Sequence, residues 1–182
     1  MKKSIIKGLI RSDRKLYLGK KRMLYFLNNH QNYIYYKSIK YNRWYRYYKQ
    51  KKHQVIGGLL FCYFTRKKNN YCNKYGIELN GASFGENFRL YHGNIVVNEQ
   101  AKIGNNCKLH GNNCIGNNGN SNLCPIIGDN VDIGYGTTII GNIKIGNNIV
   151  IGANSLVNKD LLEENFIYAG SPAKKIKRIQ NC

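Results

Sequence analysis

Ile127–Val157 reads IGDNVDIGYGTTIIGNIKIGNNIVIGANSLV, and Ile127, Ile133, Ile139, Ile145, Ile151 and Val157 recur every sixth residue. A helix repeats at 3.6 residues and a flat strand at 2, so neither explains a period of six. A hexad is one short strand plus a turn, and three hexads close one coil of a parallel β-helix. Gly or Asn follows most of the apolar positions, as at Gly128, Gly134, Gly146, Gly152 and Asn158, where turns demand unusual backbone angles.

The register extends upstream through Val97, Ile103, Leu109 and Ile115. Two residues before each apolar position the side chain is small or apolar, with Asn113 the exception. Cys107 occupies such a position and reads as an interior filler. The pattern lapses at 117–125, whose Gly and Asn content predicts a loop thrown out from one corner.

Upstream the texture differs. Residues 1–70 hold 19 Lys/Arg and one acid, Asp13, whereas residues 71–182 hold 10 basic and 8 acidic residues. The predicted division is a basic, Tyr-rich helical region at 1–74, a β-helix at 75–160 with its loop at 117–125, and a cap at 161–182 with a short basic helix. The start, MKKSIIKGLIRSDRK, is broken by Lys7 and does not predict a secretory signal. The longest apolar run, Val55–Phe64, has ten residues, against the ~20 that span a bilayer. Six cysteines without a CxxC pair predict free thiols, no metal site and a cytoplasmic protein.

Within the hexads, His92 and His110 stand 18 residues apart, one full coil. That interval predicts neighbouring imidazoles on one outer corner, with Tyr91 and Leu109 as the inward residues before them. Histidine suits general-base work near neutral pH. Glu78, about one coil earlier, is a candidate to orient the far ring nitrogen, and Glu99 is an alternative.

The stretches KYGIEL, LYHGNIVVNEQAKIGNNCKLHGNNCIGNNG, CPIIGDNVDIG and AGSPAKKIK together resemble the hexapeptide-repeat acyltransferases. The likeness is to the serine acetyltransferase branch and its relatives in surface (capsular or O-antigen) polysaccharide biosynthesis. It covers about residues 75–178. It implies a left-handed parallel β-helix, a homotrimer, and acetyl-CoA in a groove between subunits. On that resemblance His92 is the general base, Glu78 orients it, and His110 stands in for a second histidine. Gly116, Tyr135 and Ala153 match positions lining the pantetheine channel, and Lys174 lies where it reaches the CoA phosphates. Backbone N–H groups, or the amides of Asn112 and Asn113, are candidate oxyanion donors.

The departures fall at the acceptor end. Tyr91 replaces the Asp that precedes the base in serine enzymes, and Leu123–Cys124–Pro125 replaces Arg-His-Pro. His92 to Ile95 is one residue shorter, and the large helical domain of the amino-acid enzymes is not recognisable. These departures point away from free serine to a saccharide acceptor, lipid-linked in one version, with Tyr91, Asn112, Asn113 and Cys124 around it. Cys124 as a nucleophile is the minor alternative. The expected function is thus O-acetylation of a sugar hydroxyl in a surface polysaccharide. The alternatives are serine O-acetylation for cysteine biosynthesis, N-acetylation of an amino sugar, and a non-catalytic trimeric scaffold binding membrane or nucleic acid. For the enzyme no nucleic-acid partner is expected. The basic residues 1–70 suggest peripheral contact with anionic lipid at the inner face of the membrane.

Overall fold

The computed structural model describes residues 2–179 and divides into two compact units between Gly81 and Ala82. The first unit is helical: α1 (Lys3–Leu18), α2 (Arg22–Leu27), α3 (Gln31–Lys49) and α4 (Val55–Cys72), then a short strand β1 (Ile77–Glu78). Helix α3 packs between α1 and α4, with Ile34, Tyr35 and Ile39 buried. Its seam with α4 is aromatic: the Trp44 and Tyr48 rings stack on Phe64 at 5.6 and 5.2 Å. The only acid of residues 1–70, Asp13, is fully buried and receives two hydrogen bonds from Arg43, at 2.7 and 3.2 Å. No helix among the described residues is long and apolar enough to cross a membrane.

The boundary falls later than the expected residue 74 because residues 75–81 pack on the helices. Asn42 Oδ1 accepts from the Gly81 amide at 2.9 Å, and the Tyr75 ring meets Tyr35 edge-on at 5.3 Å.

The second unit is a three-sided coil of parallel strands, β2 (Ser83–Phe84) through β13 (Leu156–Val157), most of them two residues long. One side stacks β2, β5 (Lys102–Ile103), β8 (Ile126–Ile127) and β11 (Lys144–Ile145). A second stacks β3 (Arg89–Leu90), β6 (Lys108–Leu109), β9 (Asp132–Ile133), β12 (Val150–Ile151) and β14 (Phe166–Ala169). The third stacks β4 (Ile95–Val97), β7 (Cys114–Gly116), β10 (Thr138–Ile140) and β13. Each strand buries its hexad residue, so Leu90, Leu109, Ile133 and Ile151 form one internal column. Cys107 is buried beside it, as expected of a filler.

Three findings correct the sequence reading. First, Leu90 pairs with Leu109, so the inward residue is Leu90 and not Tyr91. The first coil is 19 residues long at this side and returns to 18 at Val97↔Ile115. The extra residue sits at the corner between β3 and β4. His92 therefore lies over Gly111, and Tyr91 lies over His110. Second, the basic C-terminal segment is no helix but a strand, β15 (Lys174–Arg178), antiparallel to β14. Lys175 and Arg178 lie over the Phe166 ring, and Lys175 pairs with Glu163 at 2.8 Å. These contacts hold an extended backbone against β14. Third, the Asn113 side chain is buried. Its Oδ1 accepts from the Gly111 amide at 2.8 Å and its Nδ2 donates to the Gly134 carbonyl at 2.8 Å.

Replacing Asn113 by alanine strands those backbone groups inside the coil, and each unpaired group costs ~1–3 kcal/mol. The expected result is a loss of about 2–4 kcal/mol, read as a lowered urea midpoint by circular dichroism. An unchanged midpoint would show that the amide does not hold the turn.

Candidate active site

The corner between the second and third sides gathers most of the candidate residues. Counting two residues past each inward position gives one column: His92, Gly111, Tyr135, Ala153 and Gly170. With rungs ~4.8 Å apart, the column runs about 19 Å. His92 stands at one end and is exposed. Lys174 stands near the other, paired with Ala169 at the start of β15.

Gly111 carries the crowding at the head of the column. Its φ is +116°, and a Cβ there would lie 2.6 Å from His92 Cβ and 3.2 Å from the Tyr135 ring. The missing side chain lets the His92 and Tyr135 rings meet edge-on, with centroids 6.4 Å apart. Beneath the column, three buried polar side chains hold the turn carbonyls. Asn113 donates to Gly134 O, while Thr137 and Ser155 both donate to Gly152 O at 2.9 and 2.7 Å. Asn113 is thus turned away from any acceptor and positions backbone instead, which removes it from the expected substrate shell. The Gly111 and Asn112 amides are also spent, the latter on Gly93 O at 2.9 Å. Of the expected oxyanion donors, the exposed Asn112 side chain remains.

His110 has a different setting. Its Nε2 is 2.7 Å from Asp132 Oδ1, and Lys108 Nζ donates to Asp132 Oδ2 at 3.0 Å. The hydrogen bond from Lys108 to this carboxylate raises the lysine pKa. Tyr91 stacks on His110 with ring centroids 4.7 Å apart, and the Arg89 guanidinium lies 4.9 Å over Tyr91. The arrangement is a half-exposed imidazole hydrogen-bonded to its own carboxylate. The sequence reading missed Asp132, because it lies 22 residues beyond His110 and becomes its neighbour only through the coil.

The other expected residues lie elsewhere. Gly116 ends β7 at the corner from which the loop leaves, and Cys124 lies buried at the loop's return. Burial raises the Cys124 thiol pKa, which weighs against the nucleophilic alternative. Glu78 and Glu99 are both exposed, Glu78 on β1 of the helical unit and Glu99 just after β4. Among the described residues, no group of three or more His, Cys, Asp or Glu is placed to hold a metal ion.

No family model matches the sequence. Over 107 residues the chain is 33% identical to a serine acetyltransferase of Synechococcus elongatus and 36% identical to one of Staphylococcus aureus, matches that take in 57% of the chain. The chain is similar to serine acetyltransferases. It spans about half the length of these curated relatives, 43% and 50% respectively. Among solved structures, the serine acetyltransferase of Neisseria gonorrhoeae is 24% identical with a TM-score of 0.78, covering 100% of this chain and 70% of that one. A Brucella abortus serine acetyltransferase in complex with coenzyme A is 22% identical with a TM-score of 0.77, covering 98% and 70%. The fold likeness therefore includes the helices, which the sequence reading had set apart from the amino-acid enzymes.

These relatives overturn the expected polysaccharide acceptor. The inference from Tyr91 and Cys124 treated two lost side chains as a lost substrate. The structure sets Arg89, Lys108 and Asp132 around Tyr91 and His110, so charged groups are present at that corner after all.

Burial pushes the Cys107 and Cys72 thiols up to about 11, so both stay protonated at pH 8, while Cys62 is exposed. Native protein treated with iodoacetamide at that pH is expected to alkylate at Cys62 and not at Cys72 or Cys107, as read by peptide mass spectrometry. Equal labelling would mean that the coil opens readily.

Proposed function

We propose that the protein is an acetyl-CoA-dependent serine O-acetyltransferase that works as a homotrimer of left-handed coils. The observation that carries this reading is the likeness to serine acetyltransferases over 107 residues, taken together with the His92 column. An exposed imidazole heads a narrow corner, and a lysine stands at its far end.

His92 takes the proton from the serine hydroxyl as that oxygen attacks the thioester carbonyl. The tetrahedral intermediate then collapses, the C–S bond breaks, and the imidazolium returns the proton to the leaving thiolate. The Asn112 amide faces the developing oxyanion. The extended thioester arm lies along Tyr135 and Ala153, with its phosphates at Lys174. Arg89 and Lys108 serve the serine carboxylate and Asp132 the ammonium, in place of the Asp and Arg lost at Tyr91 and in the loop. Gly116 and Cys124 mark a different corner of the coil. A trimer sets the loop of one subunit against the histidine column of the next, which gives the loop its place in the site.

The test is release of free thiol from acetyl-CoA by the purified protein with L-serine. The expected result is serine-dependent release. His92→Ala should lower kcat by about 10²–10⁴-fold without weakening CoA binding, and His110→Ala should do less. Arg89→Gln is expected to raise KM for serine and leave KM for acetyl-CoA unchanged. No release with serine, or near-normal turnover by His92→Ala, would refute the reading.

A further inference from the structure

The helical unit carries a surface that the transfer reaction does not use. Lys7, Arg11 and Arg14 follow one another at i, i+4 and i+7 along α1, so they share a face. With Ile10 and Tyr36 they line a cleft of about 310 Å³. Burial lowers the Lys40 pKa, and the charges of Lys37, Arg22 and Arg14 lower it further, so these cations crowd one another. The only carboxylate in residues 1–70, Asp13, is buried under Arg43 and cannot balance them from the surface.

Beside this cleft the character changes. A second cavity, about 530 Å³, is lined by Lys20, Arg22, Met23, Phe26 and Tyr33. Tyr33 and Tyr36 stand one turn apart on α3, so the two cavities follow the same helix face. Helix α2 leaves Met23, Phe26 and Leu27 at 69, 55 and 69% exposure. Six residues of helix with large apolar side chains outward and Lys20, Lys21 and Arg22 at its start match an interfacial segment.

We propose that the α1–α3 face binds the phosphate of an anionic lipid. The headgroup lies against Arg11, Arg14 and Arg22, and the acyl chains meet Met23 and Phe26. Charge selects this occupant. A second copy would bring an equally basic face and be repelled, whereas a phosphodiester neutralises the cluster. Nucleic acid would supply phosphate but leave the apolar side chains in water. This inference does not rest on the proposed acetyl transfer, and its test needs no acceptor.

The experiment is co-sedimentation of the full chain with vesicles of phosphatidylglycerol in phosphatidylcholine, against phosphatidylcholine alone, at about 0.15 M salt. Binding is expected only with phosphatidylglycerol. Arg11→Gln with Arg14→Gln should weaken it by about 10-fold or more. Phe26→Ser should weaken it by about 5-fold. Lys51→Gln with Lys52→Gln removes the same charge elsewhere and should leave it within about 2-fold, all variants keeping their circular dichroism. An equal loss in the Lys51/Lys52 pair would overturn the site in favour of bulk charge. Inorganic pyrophosphate, titrated by calorimetry, provides the soluble arm. Pyrophosphate binding as tight as that of lipid, with Phe26→Ser silent, would assign the cleft to a free phosphate and overturn the lipid. Binding of neither probe would overturn both.

Discussion

A ladder of asparagines sets the pitch of the coil. Asn87, Asn106, Asn130 and Asn148 occupy one corner in successive turns, each with φ between +54° and +56°. Each side chain reaches the next, Nδ2 to Oδ1, at 2.9 Å. Asparagine enters the left-handed region more readily than other residues with a side chain, and unlike glycine it brings an amide that pairs along the stack. The ladder therefore fixes both the turn and the register between turns. A slip of one residue would carry every inward isoleucine to the outer face. A second ladder runs beside it, with Asn105 donating to Asp129, Asp129 N to Asn147 Oδ1, and Asn147 to Glu164.

With the register pinned at one corner, irregularity is tolerated at the others, and it occurs at two places. The extra residue between β3 and β4 puts His92 over Gly111, where no Cβ competes for the space. The loop inserted between β7 and β8 leaves from another corner and returns through Cys124 and Pro125 to the same stacking column. Between them, Asn113, Thr137 and Ser155 replace apolar filler with hydrogen bonds to the turn carbonyls under the histidine corner. Buried polar groups satisfied in this way make a turn rigid, and a turn that carries a functional side chain needs rigidity.

The hexad period was legible because isoleucine and valine repeat without interruption from Ile127 to Val157. The charge of the first region was legible from composition, and its helices from segments such as KKRMLYFLNN, with aromatic residues among basic ones. The first coil was harder, because Leu90 and Tyr91 are adjacent and both apolar. Spacing alone favoured Tyr91, at 18 residues before Leu109, and only strand pairing reveals the 19-residue step. Asn113 stood out as an exception to the interior pattern, yet its partners Gly111 and Gly134 are set by the turn geometry, which periodicity does not encode. The dyad of His110 and Asp132 was hidden for the same reason: its members meet across a coil that includes the loop. In the C-terminal strand, Lys-Lys-Ile-Lys-Arg has the composition of a basic helix, and its pairing with β14 overrode that propensity. The acceptor was misread on chemistry, because a missing Asp and Arg at two positions say nothing about charges that neighbouring strands supply.

The two units solve their electrostatics in opposite ways. The coil interleaves its charges, with Lys108 and His110 both hydrogen-bonded to Asp132 at 3.0 and 2.7 Å. Residues 1–70 spend their single carboxylate internally, where Asp13 is fully buried and Arg43 nearly so. A buried pair of this kind is sensitive to loss of either partner, since the survivor is left as an uncompensated charge in a low dielectric. Its wider effect is on the surface. With that carboxylate buried, the surface charge of residues 1–70 is not balanced from within the same stretch, so its field is met by solvent ions or by an anionic ligand. Lysine stems lying over tyrosine rings, such as Lys37 over Tyr33 at 4.9 Å and Lys68 over Tyr45 at 4.5 Å, offset part of the repulsion through the ring quadrupole. That compensation is local and leaves the net charge unchanged. The aromatic content of this region thus has a physical role in folding a chain of one sign, while the charge itself stays available for binding.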